Sequence, residues 1–150
     1  MKTIEMAADK QKYMPLLLIG DEQEKMILRY LDRSEVWLLS EDGQDCALCA
    51  VTDEGSGVLE LKNIAVYPEY QRRGFGRELI EFISRYYAEK FSRLRAGTGD
   101  SPLTVPFYEK CGFECVRTVK NWFTENYDHP IYECGVQLRD MLIFEKDLEV

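Results

Sequence analysis

Residues 71–76 read Gln-Arg-Arg-Gly-Phe-Gly, two arginines and two glycines set between an apolar stretch that stops just before Pro68 and an amphipathic one that follows. Glycine has no side chain, so Gly74 and Gly76 let successive backbone N–H groups approach a ligand at a helix start, where unpaired donors and the helix dipole both favour an anion. One reading is a cradle for phosphate. The other is a basic surface turn ahead of a helix, because short motifs recur by chance. Two other cradles do not fit the spacing: the chain has no G-x-x-x-x-G-K-[ST], and "GFGREL" lacks the third glycine of the dinucleotide fingerprint.

A cradle of this kind needs a strand to deliver it and a helix to receive it. "GVLELKNIAV" reads as that strand, and Leu79, Ile80, Phe82, Ile83, Tyr86, Tyr87 and Phe91 mark the apolar face of the helix. "SRLRAGTG" follows as a strand, completing a strand-helix-strand crossover. Upstream, "KTIEM" reads as a first strand, and "YMPLLLIG" and "DEQEKMILRYLDRS" as two helices. "EVWLLS", an Asp42-Gly43 turn, "DCALCAVT" and "GVLELKNIAV" then give an antiparallel meander. Downstream, "LTVPFYEKCGF" suggests a short helix, and "ECVRTVKNWF" and "VQLRDMLIFEKDL" two more strands. Antiparallel strands with one embedded crossover place the chain in the α/β (α+β) class.

The strand that feeds the motif slips its period once. Leu59 and Leu61 share one parity, Ile64 and Val66 the other. Either both faces of a central strand are buried, or one extra residue near Lys62-Asn63 forms a β-bulge. The bulge is the favoured expectation. It would bend the strand and leave backbone groups free to pair with an extended ligand lying along a split in the sheet.

With 150 residues, 45% of them hydrophobic, the chain has enough material for one core, so residues 1–150 are expected to form a single domain. A formal charge of -8 argues against a nucleic-acid partner and fits a cationic small molecule or peptide. No apolar run reaches the roughly 18 residues of a membrane span, and "MKTIEMAADK" lacks a signal-peptide core, so no membrane partner and a cytoplasmic location are expected. The five cysteines are an odd number and are expected to stay reduced. Cys46 and Cys49 have the spacing of a C-x-x-C, but on a strand that spacing points the two sulfurs to opposite faces, so no metal site is expected. His129 is the only histidine, which leaves no multi-histidine metal site and no obvious Ser-His-Asp triad.

The combined pattern resembles the GNAT superfamily of acyl-CoA-dependent N-acetyltransferases. "LKNIAVYPEYQRRGFGREL" is similar to its signature of strand, V-x-P, Q-x-x-G-x-G and helix, and "PFYEKCGFECV" to its later Y-E-K-x-G-F segment. The likeness is good over about Trp37 to Val116 and only in outline over the final third. It implies a GNAT fold: a mixed, mostly antiparallel sheet of about six to seven strands with a bulged central strand, flanked by helices. It implies acetyl-CoA as cosubstrate, with no metal, and transfer of acetyl to a primary amine of a small molecule or peptide by direct attack in a ternary complex. A non-catalytic acyl-CoA-binding sensor is the alternative, and a homodimer stays open.

By the same resemblance, the backbone amides of Arg72, Arg73, Gly74, Phe75, Gly76 and Arg77, with Gln71 at the head of the motif, bind the coenzyme A pyrophosphate. Ile64 and Val66 meet the pantetheine arm through backbone groups, with Ala65 between them. Tyr108 matches the tyrosine that protonates the departing thiolate. Glu60 is the leading candidate for the base that deprotonates the amine, or else attracts a cationic amine without moving a proton; Glu133 and Asp100 are more distant alternatives. The family often carries asparagine near the end of the fifth strand, where "AGTGDS" offers Asp100 and Ser101 instead.

Overall fold

At Asp42 and Gly43 the backbone takes φ of 52° and 81°, the two consecutive left-handed residues that turn a hairpin with the twist of its strands. This turn joins β2 (Glu35–Glu41) to β3 (Gln44–Asp53), as the sequence leads one to expect. The computed structural model describes residues 1–149. Before the hairpin come β1 (Lys2–Met6), α1 (Met14–Gly20) and α2 (Glu24–Leu28). After it follow β4 (Val58–Val66), α3 (Phe75–Tyr86), β5 (Arg93–Gly99), α4 (Thr104–Lys110), β6 (Glu114–Val119), α5 (Trp122–Asn126), β7 (Tyr132–Glu133), β8 (Val136–Gln137) and β9 (Met141–Asp147).

Seven strands form one sheet in the order β1-β2-β3-β4-β5-β9-β6, and β7 pairs with β8 as a separate hairpin. Every neighbouring pair is antiparallel except β4 with β5, which the α3 crossover makes parallel. Leu79, Ile80 and Ile83 of α3 pack on one face with Leu39, Val51, Leu61 and Phe144. Leu16 and Leu17 of α1 and Ile27 of α2 cover the other face against Val36, Leu48 and Ala65. The mixed, mostly antiparallel sheet between helices is the expected architecture. Among the described residues no helix is long and apolar enough to cross a membrane.

The expected bulge is present. Ala50 pairs with Asn63 and Val51 with Leu61, which leaves Lys62 as the extra residue on β4. Leu59 and Leu61 therefore face the α3 side, and after the bulge so do Ile64 and Val66. Asn63 and Ala65 turn to α1 and α2, and the Asn63 amide donates to the Leu17 carbonyl at 2.9 Å and to the Tyr30 hydroxyl at 3.0 Å.

Three expectations need correction. Cys46 and Cys49 do not face opposite ways: Leu39 pairs with Ala47 and Ser40 with Asp45, so Cys46 is itself an extra residue, and both thiols enter the α3-side core. There, burial pushes the Cys49 thiol up to about 12. The second half of "ECVRTVKNWF" is not strand, because β6 stops at Val119 and Trp122 opens α5. The last apolar run is likewise two strands, β8 and β9, separated by Leu138–Asp140.

Candidate active site

The β4–β5 pairing extends only from Val58 to Leu61, opposite Arg93 to Ala96. Past the bulge, β4 stays with β3 while β5 stays with β9, and a wedge opens between two strands that should be neighbours. The Tyr67 N–H donates to the Cys46 carbonyl at 3.0 Å, so Tyr67 and, two residues earlier, Ala65 turn their backbone groups to β3. Ile64 and Val66 turn theirs to the wedge. The Val66 carbonyl receives a bond from the Gln71 side-chain amide at 2.9 Å, which ties the loop back to the strand end.

The loop then prepares its donors. Arg72 and Gly74 both lie in the left-handed region, at φ 66° and 84°, which turns the chain sharply into α3. The first helical bond is donated by Glu78 to the Gly74 carbonyl at 3.0 Å. Among the described residues, the six consecutive N–H groups from Arg72 to Arg77 find no acceptor, and the space a side chain would fill at Gly74 is open. Gly76 is a closer fit: a Cβ there would stand 3.3 Å from the Phe107 ring, so its glycine lets α3 approach α4. The Arg73 guanidinium is drawn aside, donating to Glu41 at 2.9 Å and lying 4.9 Å from the centre of the Phe75 ring. Arg72 carries no such partner among the described residues.

The wedge opens on the α1/α2 side into a cleft of about 740 Å³. Its floor is β4, β5 and β9, one wall the end of α1 with α2, and the other α5 with the β7–β8 hairpin. That second wall is built on its own apolar cluster of Phe123, Ile131 and Leu138. It settles onto β5 where glycines leave room, since a Cβ at Gly97 would stand 2.7 Å from the Met141 sulfur and one at Gly99 2.6 Å from Leu138.

Tyr108 reaches this cleft from α4. Its ring is buried, stacked on Phe144 at 5.7 Å and edge-on to Phe113 at 5.4 Å, while its hydroxyl has no hydrogen-bond partner among the described residues. Burial, with the nearby Cys111 and Glu133, pushes the phenol up and holds it protonated. Glu60 also lines the cleft, clasped between the Arg95 guanidinium at 2.7 Å and the Lys62 ammonium. Ser101 turns inward, its hydroxyl accepting from the Leu103 N–H at 3.0 Å, and it does not line the cleft; neither does Asp100. The wall residues Asp21, Tyr127 and Tyr132 were outside the sequence expectations. Only the aromatic richness of "NWFTENYDHPIY" hinted at them.

A splayed parallel pair ending in an anion cradle, and opening on its far side into a second cleft beside a protonated phenol, defines a site for transferring a group between two substrates. The model of the acetyltransferase (GNAT) domain matches residues 32–115. The chain belongs to the GNAT family of acetyltransferases. Among curated proteins it is similar to the uncharacterised N-acetyltransferase YvbK of Bacillus subtilis, 30% identical over 135 residues that cover 89% of this chain and 87% of that one. A GNAT acetyltransferase of Elizabethkingia anophelis, solved with acetyl-CoA bound, is 29% identical with a TM-score of 0.92 over 98% of each chain. A Bacillus subtilis acetyltransferase, solved with CoA, is 28% identical with a TM-score of 0.89 over 99% of each. The family, fold class and enzyme class expected from the sequence hold, and the wedge and cradle of this chain fit acetyl-CoA as cosubstrate.

Proposed function

We propose that this protein moves the acetyl group of acetyl-CoA to a primary amine by direct attack, with both substrates held at once. The observation that carries the proposal is the run of six unbonded N–H groups from Arg72 to Arg77, continuous with a strand edge that its neighbour has left. The run suits a pyrophosphate at a helix N-terminus. The wedge-facing backbone of Ile64 and the N–H of Val66 suit an extended arm with amide groups. Acetyl-CoA, when bound, supplies an activated carbonyl and a thiolate leaving group.

The residues around the wedge divide the remaining work. Tyr108, unbonded among the described residues and held protonated, suits the role of proton donor to the sulfur. Glu60 balances Arg95 and Lys62 on the cleft floor, and both its oxygens are engaged. Among the described residues no cysteine or serine lines the cleft, which supports direct attack over a covalent acyl-enzyme. A volume of about 740 Å³ falls in the range of small-ligand sites, which favours a small-molecule amine over a long peptide. The five free thiols support a reducing, cytoplasmic setting.

A thermal-shift titration tests the donor. Acetyl-CoA should stabilise the protein by about 2.7 kcal/mol at a hundredfold excess over its dissociation constant, and NAD and ATP by less. Equal stabilisation by all three would remove the assignment. Thiol release with a panel of polyamines, amino sugars and peptides then separates an enzyme from a sensor that binds acetyl-CoA and acetylates nothing.

A further inference from the structure

We infer that Glu133 is the carboxylate that receives the acceptor's ammonium group and takes its proton before attack. This rests on the acetyl-transfer reading and assigns the one role in it that Glu60 is poorly placed to fill. Four carboxylates line the cleft. Glu60 has both oxygens engaged, one by Arg95 and one by Lys62, so protonating it would leave two cations without their counter-charge. Asp21 accepts the Tyr127 hydroxyl at 2.7 Å. Glu22 faces the His129 ring at 3.8 Å, at the outer rim. Glu133 alone has no hydrogen bond or ion pair from its side chain among the described residues, and it is half-buried.

The cations do not compensate it. Arg33 is taken by Glu54 at 2.7 Å, and the Arg29 guanidinium leans on the Met26 sulfur at 3.3 Å. Arg117 of β6 lines the cleft and makes no ion pair among the described residues. An unpaired carboxylate in a cleft is ready for an incoming cation.

A tight turn sets its position in the hairpin. Tyr132 pairs with Gln137 and Glu133 with Val136, so Glu133 is the last residue before a two-residue turn. Cys134 and Gly135 make that turn with φ of 53° and 75°, the geometry that suits a tight hairpin. Glu133 and Tyr108 both line the cleft, close enough that the carboxylate's charge contributes to raising the phenol. The proposed acid and base thus share one cleft.

The ammonium gives one proton to Glu133, which frees the nitrogen lone pair. That pair forms the C–N bond, and the C–S electrons leave with sulfur, which takes the Tyr108 proton. The nitrogen's second proton restores Tyr108, and Glu133 releases the first to water.

The test compares wild type, Glu133→Gln and Glu60→Gln by amine-dependent thiol release from about pH 6 to pH 10, with melting curves to confirm folding. Losing the base should lower kcat/KM for Glu133→Gln by roughly a hundredfold near neutrality, and the deficit should shrink as the pH approaches the amine's own value of about 10. Glu60→Gln should show a smaller deficit that does not depend on pH. A wild-type profile from Glu133→Gln, or the pH-dependent deficit appearing in Glu60→Gln instead, overturns the inference. If the wild type acetylates no amine in the panel, the acetyl-transfer reading fails, and Glu133 is then judged by binding alone. In protein carrying 13C-glutamate, spermidine should move the carboxyl resonance that Glu133→Gln removes; a resonance that stays put overturns the role.

Discussion

The side-chain amide of Gln71 donates to the carbonyl oxygen of Val66 across 2.9 Å, joining the loop that forms the cradle to the strand that forms the wedge. The bond ties the loop to the strand end without itself touching the six unbonded donors, so it would fix the separation of the two halves of the proposed acetyl-CoA site. Gln71→Ala should leave the melting temperature nearly unchanged and weaken acetyl-CoA roughly two- to tenfold, the worth of one neutral hydrogen bond. Calorimetry checks this; unchanged affinity would mean that the loop holds its shape without the tie.

Gly74→Glu tests the cradle itself. The site has space for a side chain, so the protein should fold, at a cost of about 1–2 kcal/mol for a non-glycine residue in the left-handed region. A carboxylate at the mouth of the donors should abolish acetyl-CoA binding. A folded variant that binds normally by calorimetry would place the phosphates elsewhere.

Tyr108→Phe keeps the stacking on Phe144 and removes a hydroxyl that bonds to nothing in the described protein. Stability and acetyl-CoA affinity should hold, while turnover falls roughly ten- to ten-thousandfold. Full turnover in a folded variant would end the proton-donor role.

Much of this arrangement was legible, and the exceptions have physical causes. The β4 bulge showed because the polar Lys62-Asn63 pair separates two apolar pairs of opposite parity. The bulge at Cys46 left no such mark: seven consecutive residues from Cys46 to Thr52 are buried, so apolar side chains occupy both faces and parity carries no information. Helix α5 spans only Trp122–Asn126, too short for a helical period to emerge, and its aromatic residues equally suit a strand. Glu133 escaped emphasis because Cys-Gly is an unusual pair for a tight hairpin turn, which typically uses Asn-Gly or Asp-Gly. The role of Glu60 was suggested by its position on the strand, whereas its two ion pairs depend on side chains that only the fold brings together.

Tyr127 and Asp21 supply a prediction about acidity. Burial raises the Asp21 carboxyl above its ordinary value, and the Tyr127 hydroxyl opposes that rise. A raised folded-state value means the folded protein holds this proton more tightly, so the associated stability is full at low pH and is lost as pH rises through the folded value. Tyr127→Phe should therefore destabilise most near neutrality, by about 1–3 kcal/mol, and less near pH 4, where protonated Asp21 depends less on the donor. Melting curves of both proteins across that range decide it; a deficit that grows toward acid would contradict the assignment.

The wall made by α5 and the β7–β8 hairpin rests on Phe123, Ile131 and Leu138, apart from the two larger clusters that support the sheet. The strand and helix that carry the proposed donor site, β4 and α3, draw on the main core, while the loop residues 71–74 between them are exposed. The proposed acceptor wall leans on a small separate cluster and on two glycines of β5. On the reading proposed above, such a division separates an adaptable side from a constrained one: residues around Glu133 within roughly 121–138 can be exchanged to suit new amines while Glu133 and the acyl-donor apparatus are kept.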